Sequence, residues 1–159
     1  GEQEAAHRGG TEDVAGVFAM NAALKNSKPG KAEARNAFIE QIVQSIPGVA
    51  LIGAGTDRLW NTVSLSMPRY QSVRWIRALE KAGFLLSAGS ACSTGKASVS
   101  QVLLAMGVDA AIAGRVLRIS AGAETTAEDW QALADELLVT YKLLNDEADS
   151  MKSQVVSID

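Results

Sequence analysis

The residue type best suited to covalent chemistry occurs once in this chain. Cys92 is the sole cysteine, and it sits in Ser87-Ala-Gly-Ser-Ala-Cys-Ser-Thr-Gly95, a run of three Ser, two Ala, two Gly, one Thr and the thiol. Such a segment has little to bury. Small residues let a thiol move and let backbone approach a bound ligand closely. A reactive thiol must be partly exposed with a lowered pKa, because the thiolate is the nucleophile. A buried structural cysteine more often sits in an apolar run, unlike this one. The same residues also suit a plain flexible connector that carries a cysteine by chance.

Two further segments hold groups that could bind rather than react. In Leu117-Arg-Ile-Ser120 the charge alternates against apolar neighbours. Arg118 is then either a solvent-facing strand residue or a guanidinium that forks onto a carboxylate in bidentate geometry. In His7-Arg-Gly-Gly-Thr-Glu12 a Gly-Gly turn leads into a capped helix start, a natural anion site that many helices share. His7 is the only histidine, and a loop histidine with an ordinary hydrogen bond is the simpler reading of it.

Bulk composition narrows the function classes. The 159 residues make one ordinary domain or part of a larger protein. Hydrophobic residues at 47% and charged residues at 21% fit a globular core and argue against disorder. A net charge of −3 with no Lys/Arg run argues against nucleic-acid binding. No apolar stretch reaches the roughly 18 to 20 residues of a membrane span, and no signal-peptide pattern opens the chain. A single cysteine forms no intramolecular disulfide, which fits a reducing, cytoplasmic setting. One His and one Cys make an all-protein zinc site unsuitable, so no metal is expected.

The elements that must position these groups follow from periodicity and breakers. Thr11, with Glu12 and Asp13 behind it, predicts a helix N-cap, and Val14, Val17, Phe18, Ala22 and Leu24 recur at helical spacing up to the Asn26–Gly30 break. A second helix is expected over Ala32–Ile46, with Ala34, Phe38, Ile42, Val43 and Ile46 inward. Val49–Ile52 and the alternating Asn61–Met67 read as strands, the latter with Val63, Leu65 and Met67 on one side and Thr62, Ser64 and Ser66 on the other. Gln71–Ala82 is expected to be helical, with Val73, Ile76 and Leu79 inward and Gly83 as cap. A brief strand over Phe84–Leu86, a helix over Val99–Met106, a helical turn over Asp109–Gly114 and a strand over Val116–Ser120 follow. Thr126 caps a final helix to about Asn145, with Trp130, Leu133, Leu137, Leu138, Tyr141 and Leu144 on one face. A polar tail that frays comes after Asp146. The fold class is α/β (α+β): a small sheet covered by helices.

Taken together, a series of segments carries a resemblance. Gln3-Glu4, Arg8-Gly-Gly-Thr-Glu-Asp-Val14, Asn61-Thr-Val-Ser-Leu-Ser-Met-Pro68, Ser87-Ala-Gly-Ser-Ala-Cys92, Val102-Leu-Leu-Ala-Met-Gly107, Leu117-Arg-Ile-Ser-Ala-Gly122 and Thr125-Thr126 occur in this order. Over about residues 3 to 130 the chain resembles the C-terminal portion of the NifS- and IscS-like cysteine desulfurases, within the class V pyridoxal-phosphate aminotransferases. Gly-Ser-Ala-Cys is the specific element; the others are shared with relatives that are not desulfurases.

The resemblance implies the small C-terminal domain of a fold-type I enzyme. Residues 1–30 would be the end of the large domain and a connecting helix, 31–146 the small domain and 147–159 the tail. It implies pyridoxal 5'-phosphate as cofactor and L-cysteine as substrate. Cys92 matches the cysteine that becomes a persulfide as alanine is released. Arg118 matches the arginine that binds the substrate carboxylate. Thr11 matches a threonine that reaches the cofactor phosphate of the other subunit of a homodimer, and Asn61 matches a position near the substrate site. A sulfur-acceptor or scaffold protein, a link to iron–sulfur cluster biogenesis and a cytoplasmic location are expected, with no nucleic acid and no membrane. The long stretch from Cys92 to the helix near Val102 is like that of the family branch whose cysteine rides a mobile loop, free to visit cofactor and acceptor in turn. Two departures stand out: the family's cofactor lysine has no match here, Lys96 included, and Ala123 stands where a basic residue often follows. Alternatives within reach of the sequence are a selenocysteine lyase, another class V enzyme and a non-catalytic dimerising domain.

Overall fold

Alternation along two strands decides the architecture. In β2 (Thr62–Ser66) and β4 (Val116–Ser120), Val63, Leu65, Leu117 and Ile119 point to one face and are buried. Thr62, Ser64, Arg118 and Ser120 fall on the other face by the period of two. The structure, a computed structural model, describes residues 5, 7, 9–27, 30, 32–88 and 99–155, the side chains of 148–155 excepted.

The remaining elements are α1 (Val14–Asn26), α2 (Glu33–Ser45), β1 (Ala50–Leu51), α3 (Ser72–Lys81), β3 (Ser87–Ala88), α4 (Gln101–Ala105), α5 (Ala110–Ala113) and α6 (Ala127–Val155). The four strands form one antiparallel sheet in the order β1-β2-β4-β3. Leu65 pairs with Leu117 and Val63 with Ile119, so the ladder stacks its apolar side chains directly across the strands. Over that face lie Phe38, Ile39, Ile42 and Ile46 from α2, Trp75 and Leu79 from α3, and Trp130, Leu133, Leu137 and Leu144 from α6. Phe38 and Trp130 meet ring to ring at 5.0 Å, and Trp75 stacks on Tyr141 at 6.4 Å. On the opposite face a smaller cluster of Leu103, Ala113 and Val116 seats α4 and α5. The fold is therefore the mixed α/β arrangement expected, a small sheet covered by helices.

Local signals explain most boundaries. Thr126 and Asp129 cap α6 reciprocally: the Asp129 amide donates to Thr126 Oγ1 at 3.2 Å, and the Thr126 amide donates to Asp129 Oδ2 at 2.8 Å. Ser100 and Asp109 cap α4 and α5 through Leu103 and Ala111 amides. After α3, Gly83 takes φ +93°, and the Phe84 amide returns to the Leu79 carbonyl at 2.9 Å.

Several expectations need correction. Helix α1 is capped by Asp13, not Thr11: Asp13 Oδ1 accepts from the Gly16 amide at 2.9 Å. A carboxylate is a better N-cap than a threonine hydroxyl because it also opposes the helix dipole. No residue of α1 is buried, so its apolar spacing builds no part of this core. Val43 and Val73 face solvent, while Ile39 and Trp75 take the inward positions. The brief strand lies at Ser87–Ala88 instead of Phe84–Leu86, because only there does the backbone pair with Leu117 and Arg118. The last helix runs on to Val155. Residues 146–155 contain no Gly or Pro to stop it. Tyr70 Oη donates to the Leu144 carbonyl at 2.9 Å, and Arg74 pairs with Glu147 at 2.6 Å, holding that stretch against α3.

The stacked pair Leu65 and Leu117, both fully buried, is the centre of the ladder. Leu65→Ala and Leu117→Ala should each cost about 2–5 kcal/mol in urea unfolding. The double variant should cost less than the sum, because the two side chains share one cavity. Strict additivity would show that they do not pack as a unit.

Candidate functional site

The polar face of the β2–β4 ladder opens into a cleft of about 330 Å³. Its floor carries the hydroxyls of Thr62 and Ser64 and the guanidinium of Arg118; α4 forms one wall through Ser100, Val102, Leu103 and Met106, and the segment after β1 forms the other through Ile52, Gly53, Thr56, Arg58 and Leu59. No Asp or Glu lines it among the described residues. Two arginines and four hydroxyl residues stand in an otherwise apolar lining, an arrangement chemically compatible with an anion that carries an apolar body.

Arg118 stands on β4 directly opposite Ser64 of β2 on one side and Ser87 of β3 on the other. It is exposed, and its guanidinium has no hydrogen-bond partner among the described residues. Arg118 is thus an exposed strand residue that also lines the cleft. Asn61 does a different job. Its Nδ2 donates to the Ala121 carbonyl at 2.8 Å, and its own carbonyl accepts from the Ala121 amide at 2.9 Å. Asn61 clamps the start of β2 to the chain just past β4, and so fixes the floor on which Arg118 sits. Thr11 is exposed, precedes α1, and does not line the cleft.

Cys92 lies outside the described residues, as do the rest of 89–98 and Arg8. The two anchors of that segment are placed, however. Its leading end is β3, where Ser87 pairs with Arg118 and Ala88 with Leu117. Its far end returns at Ser100, on the cleft wall. Cys92 is four residues beyond Ala88, and four residues of extended chain reach at most about 14 Å.

Two residues of the site escaped the sequence reading. Arg58 lies between the two strands expected over Val49–Ile52 and Asn61–Met67, where the sequence offers no motif. Its Nη1 donates to the Gly53 carbonyl at 3.2 Å, while its Nε is buried without an acceptor among the described residues. Arg35 lies within the apolar stripe of α2 and is 6% exposed. It donates to Asn36 Oδ1 through Nε and Nη2 and to the Leu59 carbonyl through Nη1. Burial, and then the charge of Arg58, pull its pKa below the ordinary guanidinium value. The available signal was an unpaired charge inside an apolar helical pattern, which calls for a specific partner. That partner is the Leu59 carbonyl, so Arg35 pins the wall that holds Arg58.

A second hollow of about 230 Å³ lies between Phe84–Leu86 and the start of α6. Its one carboxylate, Asp129, is engaged in capping α6, and it has no cation. Among the described residues no three His, Cys, Asp or Glu side chains gather as a metal site, and no helix is long and apolar enough to cross a membrane.

The aminotransferase class-V profile matches residues 1–133, and the chain belongs to that family. Within it, the chain is similar to curated cysteine desulfurases. It is 32% identical over 126 residues to the cysteine desulfurase of Klebsiella pneumoniae, covering 76% of this chain and 32% of that protein. It is 34% identical over 145 residues to an IscS-like cysteine desulfurase of Mycobacterium tuberculosis, covering 86% of this chain and 37% of that protein. The chain thus spans about a third of the length of these relatives. Its fold matches the X-ray structure of a NifS-like protein from Rickettsia africae with a TM-score of 0.67 at 23% identity, over 89% of this chain and 38% of that one.

Cations and hydroxyls in the cleft suit a carboxylate or phosphate. No lysine lines the cleft among the described residues, so covalent attachment of pyridoxal phosphate finds no group there.

The clamp role of Asn61 is open to a simple test. Asn61→Ala removes two side-chain hydrogen bonds, one to the Ala121 carbonyl and one from the Thr62 hydroxyl, and should cost about 1–2 kcal/mol in urea unfolding. Asn61→Asp, which sets a carboxylate against the Ala121 carbonyl, should cost more. Equal stability of all three proteins would rule out the clamp.

Proposed function

We propose that this chain is the thiol-bearing, carboxylate-binding part of a pyridoxal-phosphate-dependent cysteine desulfurase. The observation that carries the reading is the pairing of β3 with β4: the segment holding Cys92 is rooted on Ser87, the direct neighbour of Arg118. A substrate whose carboxylate is held by Arg118 is then within range of a tethered thiol. Similarity to curated cysteine desulfurases over most of the chain supports L-cysteine as that substrate.

In the net reaction L-cysteine and the Cys92 thiol become L-alanine and a Cys92 persulfide, with no external oxidant. The C–S bond of the substrate breaks and an S–S bond to Cys92 forms. Pyridoxal phosphate, when bound in the whole enzyme, supplies the electron sink that loosens the C–S bond. The part assigned to this chain is to hold the substrate carboxylate on Arg118 and to present Cys92 as thiolate. Asn61 keeps the floor of the substrate site in register. Thr11 belongs to the phosphate contact with a second subunit of a homodimer, and persulfide sulfur passes from Cys92 to an acceptor protein, such as one that feeds iron–sulfur clusters. Residues 1–30, 31–146 and 147–159 are the connecting segment, the small domain and the tail of that enzyme, which works in the cytoplasm. These assignments rest on the family resemblance.

Two measurements test the proposal. In the full-length enzyme, Cys92→Ala should abolish alanine formation from L-cysteine while cofactor absorbance is retained; sustained turnover would remove Cys92 from the mechanism. The 159-residue chain mixed with pyridoxal phosphate should develop no visible band of a Schiff base stable to dialysis, and such a band would place the cofactor lysine within it.

A further inference from the structure

Arg58 has no assigned role in the reaction, yet it shares the cleft with Arg118. The two approach from opposite sides of β2. The Ile52 amide donates to the Ser64 carbonyl at 2.9 Å, which seats the turn after β1 along the outer edge of β2. Arg58 is bound to Gly53 in that turn. Arg118 is the register partner of Ser64 on the inner edge. Neighbouring strands lie about 4.8 Å apart, so the chain at Ile52, next to the Gly53 carbonyl that holds the Arg58 guanidinium, is about 10 Å from the β4 backbone that carries Arg118, with Thr62 and Ser64 of β2 between them. That spacing fits one carboxylate held between two long cationic side chains.

Charge balance points the same way. Among the described residues Arg58 and Arg118 form no ion pair; the pair present, Arg74 with Glu147, lies elsewhere. Arg58 makes one hydrogen bond, to a carbonyl, and its Nε–H is shielded from water without an acceptor. Arg35 adds a third buried-side positive charge close behind Arg58. Like charges gathered without a counter-charge are costly in a partly desolvated setting. A bound anion relieves that cost, and does so better than water can.

We propose that Arg58 is a second carboxylate-binding residue, forming with Arg118 a two-guanidinium site that selects a carboxylate over its neutral amide. The inference rests on the reading of Arg118 given above and extends it: Arg58 determines specificity for the anionic end of the substrate.

The test uses the 159-residue chain and two probes of equal shape, propionate and propionamide, titrated at constant ionic strength while the arginine Nε–Hε signals are followed by NMR. Propionate should shift the signals of Arg58 and Arg118 with one common saturation curve, and propionamide should shift neither. Arg58→Gln and Arg118→Gln should each weaken propionate binding by about 10-fold, the worth of one charge-assisted hydrogen bond. Arg58→Lys should restore part of the loss, with far-UV circular dichroism confirming that each variant is folded. A loss confined to Arg118→Gln overturns the role of Arg58 and leaves Arg118 as the sole carboxylate residue. A loss confined to Arg58→Gln overturns the shared site and the assignment of Arg118 together. Equal response to propionate and propionamide overturns the claim of charge selection.

Discussion

The ladder between β2 and β4 is the constraint on which the rest of the structure depends. Its five paired positions set Leu65 against Leu117 and Val63 against Ile119 on the helix side. They set Ser64 against Arg118 and Thr62 against Ser120 on the cleft side. A slip of one residue would exchange the two sets, burying a guanidinium and exposing leucines. Core and site are therefore fixed by the same hydrogen bonds. The apolar pairs supply the stability, and register carries it across the sheet to the polar face. Asn61 closes the end of this ladder, and Arg35 braces the segment that flanks it.

The edges of the ladder explain why the site is where it is. On one edge the turn after β1 brings Arg58 alongside β2. On the other, β3 adds a two-residue strand and launches the segment with Cys92. The chain belongs to the class V aminotransferases and is similar to curated cysteine desulfurases.

Much of this was legible in the sequence because the dominant signals are periodic. Alternation in Asn61–Met67 foretold which side chains of β2 face the helices, and the bounds of β4 were read without error. The apolar face of α6 from Trp130 to Leu144 was plain for the same reason. What failed depended on contacts far apart in the chain. Val43 and Val73 fit a helical stripe as well as Ile39 and Trp75 do, and only the position of α6 decides between them. The run of α6 to Val155 depends partly on Tyr70 and Arg74, some seventy residues away in sequence. Arg35 and Arg58 were missed because their meaning comes from Leu59 and Gly53 carbonyls, which no side-chain pattern advertises. Cys92 and Arg118 stood out by residue type, and the pairing of Ser87 with Arg118 supplied the link between them that composition could not.

Arg118 is the residue proposed to read the substrate's carboxylate, and the sharpest measure of that role is discrimination within the whole enzyme. Values of kcat/KM for L-cysteine and for its neutral analogue L-cysteinamide, taken for wild type and Arg118→Gln, isolate the charge. The wild-type enzyme should favour L-cysteine by roughly 10- to 100-fold, and Arg118→Gln should lower that ratio by about 10-fold. A variant that loses activity on both compounds equally, with the ratio unchanged, would contradict the account.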